Sequence, residues 1–140
     1  MEECPFCAHS GKYDLEHILM EDEYAIAFLP NRLFRKGNCL VAPKRHMKSI
    51  SEMTAEENAS VFQMITAISK ALEKTFQAEK TYLLSISDQV KHLHYHLIPK
   101  LEGQISMGKY CFIKLIEAEG YYEPKQNELN IFAGELRQCL

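Results

Sequence analysis

Hydrophobic positions along this chain switch between two periods, and the switches mark its elements. From Val61 through Met64, Ile65 and Ile68 to Leu72, apolar residues recur at steps of three and four, the spacing that lines one face of an α-helix. Thr54-Ala55-Glu56-Glu57, just ahead of this run, has the Ser/Thr-x-x-Glu form of a capping box, so the long helix starts there. Elsewhere the apolar runs are as short as strands require. Leu15 to Met20 and Tyr24 to Leu29 read as hairpin partners around the acidic Glu21-Asp22-Glu23, the first preceded by a turn at Gly11 and the second ended by Pro30-Asn31. Asn38 to Ala42 is a third strand between Lys36-Gly37 and Pro43, with the proline stopping the ladder. Thr81 to Ile86 is a fourth, joined by the polar Ser87-Asp88-Gln89 to a fifth that starts at His92. Beyond it, Met107 to Ala118 reads as a helix broken by Gly120 and Pro124, and Asn127 to Gln138 as a closing helix. The expected fold class is α+β: an antiparallel sheet of about five strands with one long helix and shorter ones, covered on one face.

The fifth strand carries the candidate chemistry. In His92-Leu93-His94-Tyr95-His96-Leu97-Ile98-Pro99 a histidine stands at every second position. Extended chain sends alternate side chains to opposite faces, so three imidazoles share one face while Leu93, Tyr95 and Leu97 occupy the other. At roughly 3.3 Å per residue, His92 and His96 are about 13 Å apart at Cα, too far for all three to hold one ion. They therefore have separate tasks. These are half of the six histidines in the chain, and imidazoles so clustered repel one another when charged unless an anion, a metal or partial neutrality compensates. One histidine on a strand is ordinarily a solvated side chain; three in phase are a site.

Composition narrows the class. With 140 residues, 46% of them apolar, the chain has the size of one globular domain spanning 1–140. A formal charge of -3 gives no global attraction to nucleic acid or anionic membranes, so neither is an expected partner. Arg32, Arg35, Lys36, Lys44 and Arg45 gather near the expected strand tips, where a phosphate-steering patch and a solvated basic surface are both open readings. Glu2 and Glu3 replace the basic start of a signal peptide, and no apolar stretch is long enough to span a membrane. Five cysteines, an odd number, fit a reducing compartment, and a cytoplasmic location is expected. Cys4-Pro5-Phe6-Cys7 serves thiol redox chemistry as readily as zinc, but it precedes every expected strand and helix, unlike a thioredoxin-type motif.

The order of apolar hairpin, Leu40-Val41-Ala42-Pro43-Lys44-Arg45-His46, capped helix and His-x-His-x-His-x-Ile-Pro resembles the histidine-triad (HIT) superfamily, in register from about Cys4 to Lys100. The C-terminal extension from about residue 101 matches no part of that pattern. The resemblance implies a HIT-like α+β fold, usually a homodimer, that binds a nucleotide or dinucleotide substrate. The resemblance further implies hydrolysis or transfer of the substrate's α-phosphoryl group through a covalent nucleotidyl-histidine. Dinucleoside polyphosphates, nucleoside phosphoramidates and adenylylated small molecules are the implied substrates; a nucleotide-binding regulatory protein with little turnover is the alternative. The middle histidine, His94, is the implied nucleophile, and His96 the implied donor to a non-bridging phosphate oxygen. Relatives that begin with Cys-x-x-Cys, including galactose-phosphate uridylyltransferases, can bind a structural zinc. Carried over, its ligands are Cys4, Cys7, His46 and His92, a closed tetrahedral set with no open position.

The sequence departs from the family at two places. Many members carry an acidic residue after the second strand for the ribose hydroxyls; Pro30 stands there, and the adjacent Asn31 is either an amide substitute or a turn former. The family approach to the triad, Gly-Gln-x-Val-x-His, is Ser87-Asp88-Gln89-Val90-Lys91-His92 here. Gln89, shifted by one position, is the candidate phosphate contact, and Asp88 repels a phosphate if it points inward.

Overall fold

The computed structural model describes Cys4, Phe6, Cys7 and residues 17–108 and 112–140. Five short strands form one antiparallel sheet: β1 Ile18–Glu21, β2 Ala25–Phe28, β3 Cys39–Pro43, β4 Lys80–Leu84 and β5 Tyr95–Lys100, in the spatial order β1-β2-β3-β5-β4. The β1–β2 turn is held by Asp22, whose Oδ1 accepts from the backbone N–H groups of Tyr24 and Ala25 at 2.8 and 2.9 Å. Helix α1, Ala55–Phe76, starts as its sequence requires: Thr54 Oγ1 accepts from the Glu57 N–H while the Glu57 carboxylate accepts from the Thr54 N–H. Val61, Met64, Ile65, Ile68 and Leu72 are buried and join Val41, Leu93, Tyr95 and Leu97 in one core, so α1 covers one face of the sheet. Helices α2, Phe112–Glu119, and α3, Glu128–Gln138, follow β5. Leu129, Phe132, Ala133 and Leu136 of α3 form a helical stripe that enters the same core. No described helix is long and apolar enough to cross a membrane.

Some boundaries differ from expectation. The turn at Gly11 and the first two residues of the Leu15–Met20 strand lie outside the described residues. β4 ends at Leu84, before Ile86, and β5 begins at Tyr95, so His96 alone among the three histidines sits in the ladder. His92 and His94 precede it in chain that keeps the alternation: Leu93 faces the core, and its N–H donates to the Met47 carbonyl at 2.8 Å. Pro43 does not stop the ladder short of itself; it is the last residue of β3, opposite Ala25. A proline there costs a donor and leaves its carbonyl available. Helix α2 starts at Phe112, and Met107, expected within it, instead packs against Ile98. Gly37 precedes β3 at φ +86°, and a Cβ there would lie 2.7 Å from the Pro99 ring, so the turn accepts no side chain.

Candidate active site and metal centre

Proton positions on the two inner histidines follow from their neighbours, because a carbonyl only accepts and an amide nitrogen only donates. His94 Nδ1 lies 2.8 Å from the His92 carbonyl, so Nδ1 carries the proton and Nε2 keeps its lone pair. His96 Nδ1 lies 3.4 Å from Asn38 Nδ2. The orientation of that amide is set by three more contacts: Oδ1 accepts from the Phe34 N–H at 3.1 Å, and Nδ2 donates to the Cys39 and Leu97 carbonyls at 3.2 and 3.3 Å. His96 Nδ1 therefore accepts, and Nε2 bears its proton. One ring offers a lone pair and its neighbour a donor, with centroids 5.1 Å apart. Burial pushes the His94 pKa down, against the pull of the His92 carbonyl. Burial, with His94 beside it, holds His96 down to about 3. Both rings are neutral at neutral pH.

His94 lies just outside the ladder, and two serines supply the hydrogen bonds a strand partner would. Ser85 Oγ donates to the His94 carbonyl at 2.8 Å, and Ser87 Oγ accepts from the His94 backbone N–H at 3.2 Å. Ser87 Oγ also lies 3.3 Å from His94 Nδ1. Ser87 takes φ +58°, the left-handed conformation a glycine adopts freely, at the position where the family pattern has glycine. The short loop thus keeps the backbone turn and adds a hydroxyl.

Cys4, Cys7, His46 and His92 offer one ligand atom each, all within 4.8 Å of one another. Cys4 Sγ and Cys7 Sγ both lie 3.5 Å from His92 Nδ1, and Cys7 Sγ lies 3.4 Å from His46 Nδ1. A zinc ion with ordinary Zn–S and Zn–N bonds sets tetrahedral S···N edges of about 3.5 Å, so the donor set fits that ion. The proton logic also fits. His92 Nε2 is 2.7 Å from the Pro43 carbonyl, which only accepts, so Nε2 is protonated and Nδ1 presents its lone pair to the thiols. Burial, then the hydrogen bond and charge of Cys4, push the Cys7 thiol up. Two adjacent thiolates need a cation, and a bound divalent ion reverses that shift. His46 is carried on the β3 tip, which Arg45 fastens to α1: its Nε and Nη2 donate to the two Glu57 oxygens at 2.7 and 3.0 Å, and Nη2 also donates to the Glu52 carbonyl. The Arg45 guanidinium, with the Thr54 N–H, holds the Glu57 carboxyl down to about 2.

A cavity of about 750 Å³ opens over the triad face, lined by His94 and His96 together with Gln89 and Asp88. That volume suits a mononucleotide-sized ligand. Asn31 is exposed and does not line the cavity, whereas its neighbours Pro30 and Arg32 do. The basic cluster divides: Lys44 pairs with Glu21, Arg45 with Glu57, and the buried Arg35 with Glu119, while Arg32 stacks 3.6 Å over the Tyr121 ring at the cavity. Sequence reading missed four contributors. Asn38 was legible as a polar residue heading an apolar strand, and Ser87 as the residue at the family's glycine position. Phe6 and Tyr121 carried no local signal; they arrive through the tertiary fold.

Comparison with known proteins agrees with this fold. A family model described as HIT domain matches residues 14–103. The protein hit of Bacillus subtilis is 30% identical over 104 residues, covering 71% of this chain and 72% of its own. Adenosine 5'-monophosphoramidase hnt1 of Schizosaccharomyces pombe is 28% identical over 107 residues, covering 75% and 80%. A zinc-bound histidine triad family protein from Mycobacterium smegmatis superposes with a TM-score of 0.71 over 96% of this chain and 94% of its own, at 24% identity, a likeness of fold.

Proposed function

The chain belongs to the HIT family, and from that premise we propose that it hydrolyses or transfers a nucleoside monophosphoryl group through a covalent nucleotidyl-His94 intermediate. The observation that carries the reading is the division of protons between two neutral rings: His94 keeps a lone pair on Nε2 while His96 bears a proton on Nε2, and both line one cavity. His94 Nε2 attacks the α-phosphorus; the P–N bond forms as the bond to the leaving group breaks, and that group departs with its electron pair and is protonated by solvent water. Charge gathering on the non-bridging oxygens is met by the His96 Nε2–H. Water, or an acceptor alcohol, then attacks the same phosphorus and releases its proton to solvent, and the P–N bond breaks to restore neutral His94. Gln89, which lines the cavity, is the proposed contact to phosphate, whereas Asn31, expected at the ribose, stands outside the cavity wall.

Nucleoside phosphoramidates, adenylylated small molecules and dinucleoside polyphosphates all present the required α-phosphate. The fission-yeast relative, by its name, acts on the first class. A nucleotide-binding protein with little turnover is the second reading, favoured by Asp88, an acidic residue lining the cavity in which phosphates must bind. Cys4, Cys7, His46 and His92 would hold a structural zinc, which supplies a rigid cross-link and no reacting atom. Thiol ligands suit a reducing cytoplasm. A homodimer is proposed on the β4 edge of the sheet: β4 has a neighbour on one side only, and its Leu83 is 47% exposed. Light scattering at micromolar concentration should give a particle of twice the chain mass, and a monomer overturns that part. For the activity, a fluorogenic adenosine phosphoramidate should be cleaved by the wild type and not by His94→Ala. Nucleotide binding without cleavage selects the second reading.

A further inference from the structure

Phe6 stands inside the metal-binding motif, between Cys4 and Cys7, and its ring faces the active site. Its centroid lies 5.4 Å from His92 and 5.1 Å from His94, edge-on to both, and 5.7 Å from Phe28. Phe6 also lines the cavity that His94 and His96 line. One aromatic ring therefore touches a metal ligand, the nucleophile and the space for the ligand. Phe6 lies in a turn outside every helix and strand, closed by the Cys7 N–H on the Cys4 carbonyl at 3.1 Å. Among the described residues, the thiols of Cys4 and Cys7 contact the imidazoles of His46 and His92. Thiols are weak hydrogen-bond partners, whereas two thiolates and two imidazoles on one zinc ion form a strong cross-link.

We propose that metal occupancy and nucleotide affinity are thermodynamically linked through Phe6, the cavity-wall residue carried by the metal-held turn. The inference rests on the reading of the cavity as a nucleotide site. With the metal bound, the ring presents an apolar face to the nucleoside; with it removed, the turn loosens and that face is lost. Linkage is reciprocal: whatever factor zinc contributes to nucleotide affinity, nucleotide contributes to zinc affinity.

The test measures AMP affinity by calorimetry and zinc by elemental analysis in four samples: wild type and Phe6→Ala, each as the zinc-loaded and the chelated protein. Chelation should weaken AMP binding by the wild type about tenfold, the scale of one lost aromatic stacking contact. Loaded Phe6→Ala should keep one zinc per chain and show the same weakening, and chelating it should weaken binding no further, since the two changes remove one interaction. Competition against a chromophoric chelator should show AMP tightening zinc binding by the same factor in the wild type and not in Phe6→Ala. Equal AMP affinity in loaded and chelated wild type overturns the linkage. Should chelation unfold the domain, loaded Phe6→Ala decides alone, and wild-type affinity there overturns it. Absence of AMP binding by loaded wild type overturns this inference together with the nucleotide reading, whereas binding indifferent to zinc and to Phe6 overturns only the inference.

Discussion

Asn38 offers the sharpest test of how the site assigns its protons. Its amide is fully buried and makes four contacts, one of which fixes the tautomer of His96. Asn38→Leu keeps roughly the shape and removes all four. A buried polar group left without its partner costs about 1–3 kcal/mol, and the Phe34 N–H and two carbonyls each lose one here. The extra bulk of leucine adds overpacking. A total loss of at least about 3 kcal/mol lowers Tm by about 10 °C or more in a domain of this size. The catalytic effect is separate and smaller. One neutral hydrogen bond favours the Nε2–H tautomer of His96 by about 0.5–1.5 kcal/mol. Releasing it lowers kcat roughly three- to tenfold, while His96→Ala, which deletes the donor outright, costs about 100- to 1000-fold. Turnover of the fluorogenic phosphoramidate, measured well below both melting temperatures, gives the rates, and ¹⁵N NMR of the His96 ring gives the tautomer. A folded Asn38→Leu protein with wild-type kcat and an unchanged His96 nitrogen spectrum refutes the assignment.

Two further expectations concern the same strand. Ser87→Gly removes the hydroxyl that accepts from the His94 N–H while easing a φ of +58°, so stability stays within about 0.5 kcal/mol while kcat falls roughly threefold or more at unchanged KM; loss of stability without loss of kcat contradicts the role given to Ser87. Chemical denaturation across pH tests the burial of His96. The folded pKa of about 3 lies below the ordinary 6.5, so the unfolded chain takes up the proton first as pH falls. Stability from this group is complete above pH 6.5 and is lost as pH drops from 6.5 toward 3, by up to about 1.4 kcal/mol per unit. His96→Asn should flatten that slope, and an equal slope in the variant counts against it.

How much of this was legible depended on whether the cause was local. The alternation of Leu93, Tyr95 and Leu97 with three histidines needed only the geometry of extended chain, and it held even where the ladder did not. The capping box at Thr54 and the stripe from Val61 to Leu72 are local in the same sense, as is the Leu129–Leu136 stripe that seats α3. Strand ends were less legible, because Ser85 and Ser87 satisfy the His94 backbone from a loop and so relieve it of a strand partner. Pro43 reads as a ladder stop, yet a terminal proline still accepts, and the His92 ring uses its carbonyl. The basic cluster could not be sorted from sequence, since the partners of Arg35 and Arg45 lie 84 and 12 residues away. Tyr121 belongs to the site only because the C-terminal extension folds back over Arg32 and Phe34.

The central claim is that His94 Nε2 becomes bonded to phosphorus, and trapping that bond tests it most directly. Protein mixed with an adenosine phosphoramidate, quenched within one turnover in base and digested, should yield a single nucleotidylated peptide, with fragmentation placing the nucleotide on His94 and acid releasing it as a phosphoramidate must. Ser87→Gly should accumulate the same adduct more slowly, and His94→Ala none. Turnover that proceeds with no adduct at His94, or with the nucleotide on another residue, contradicts the account.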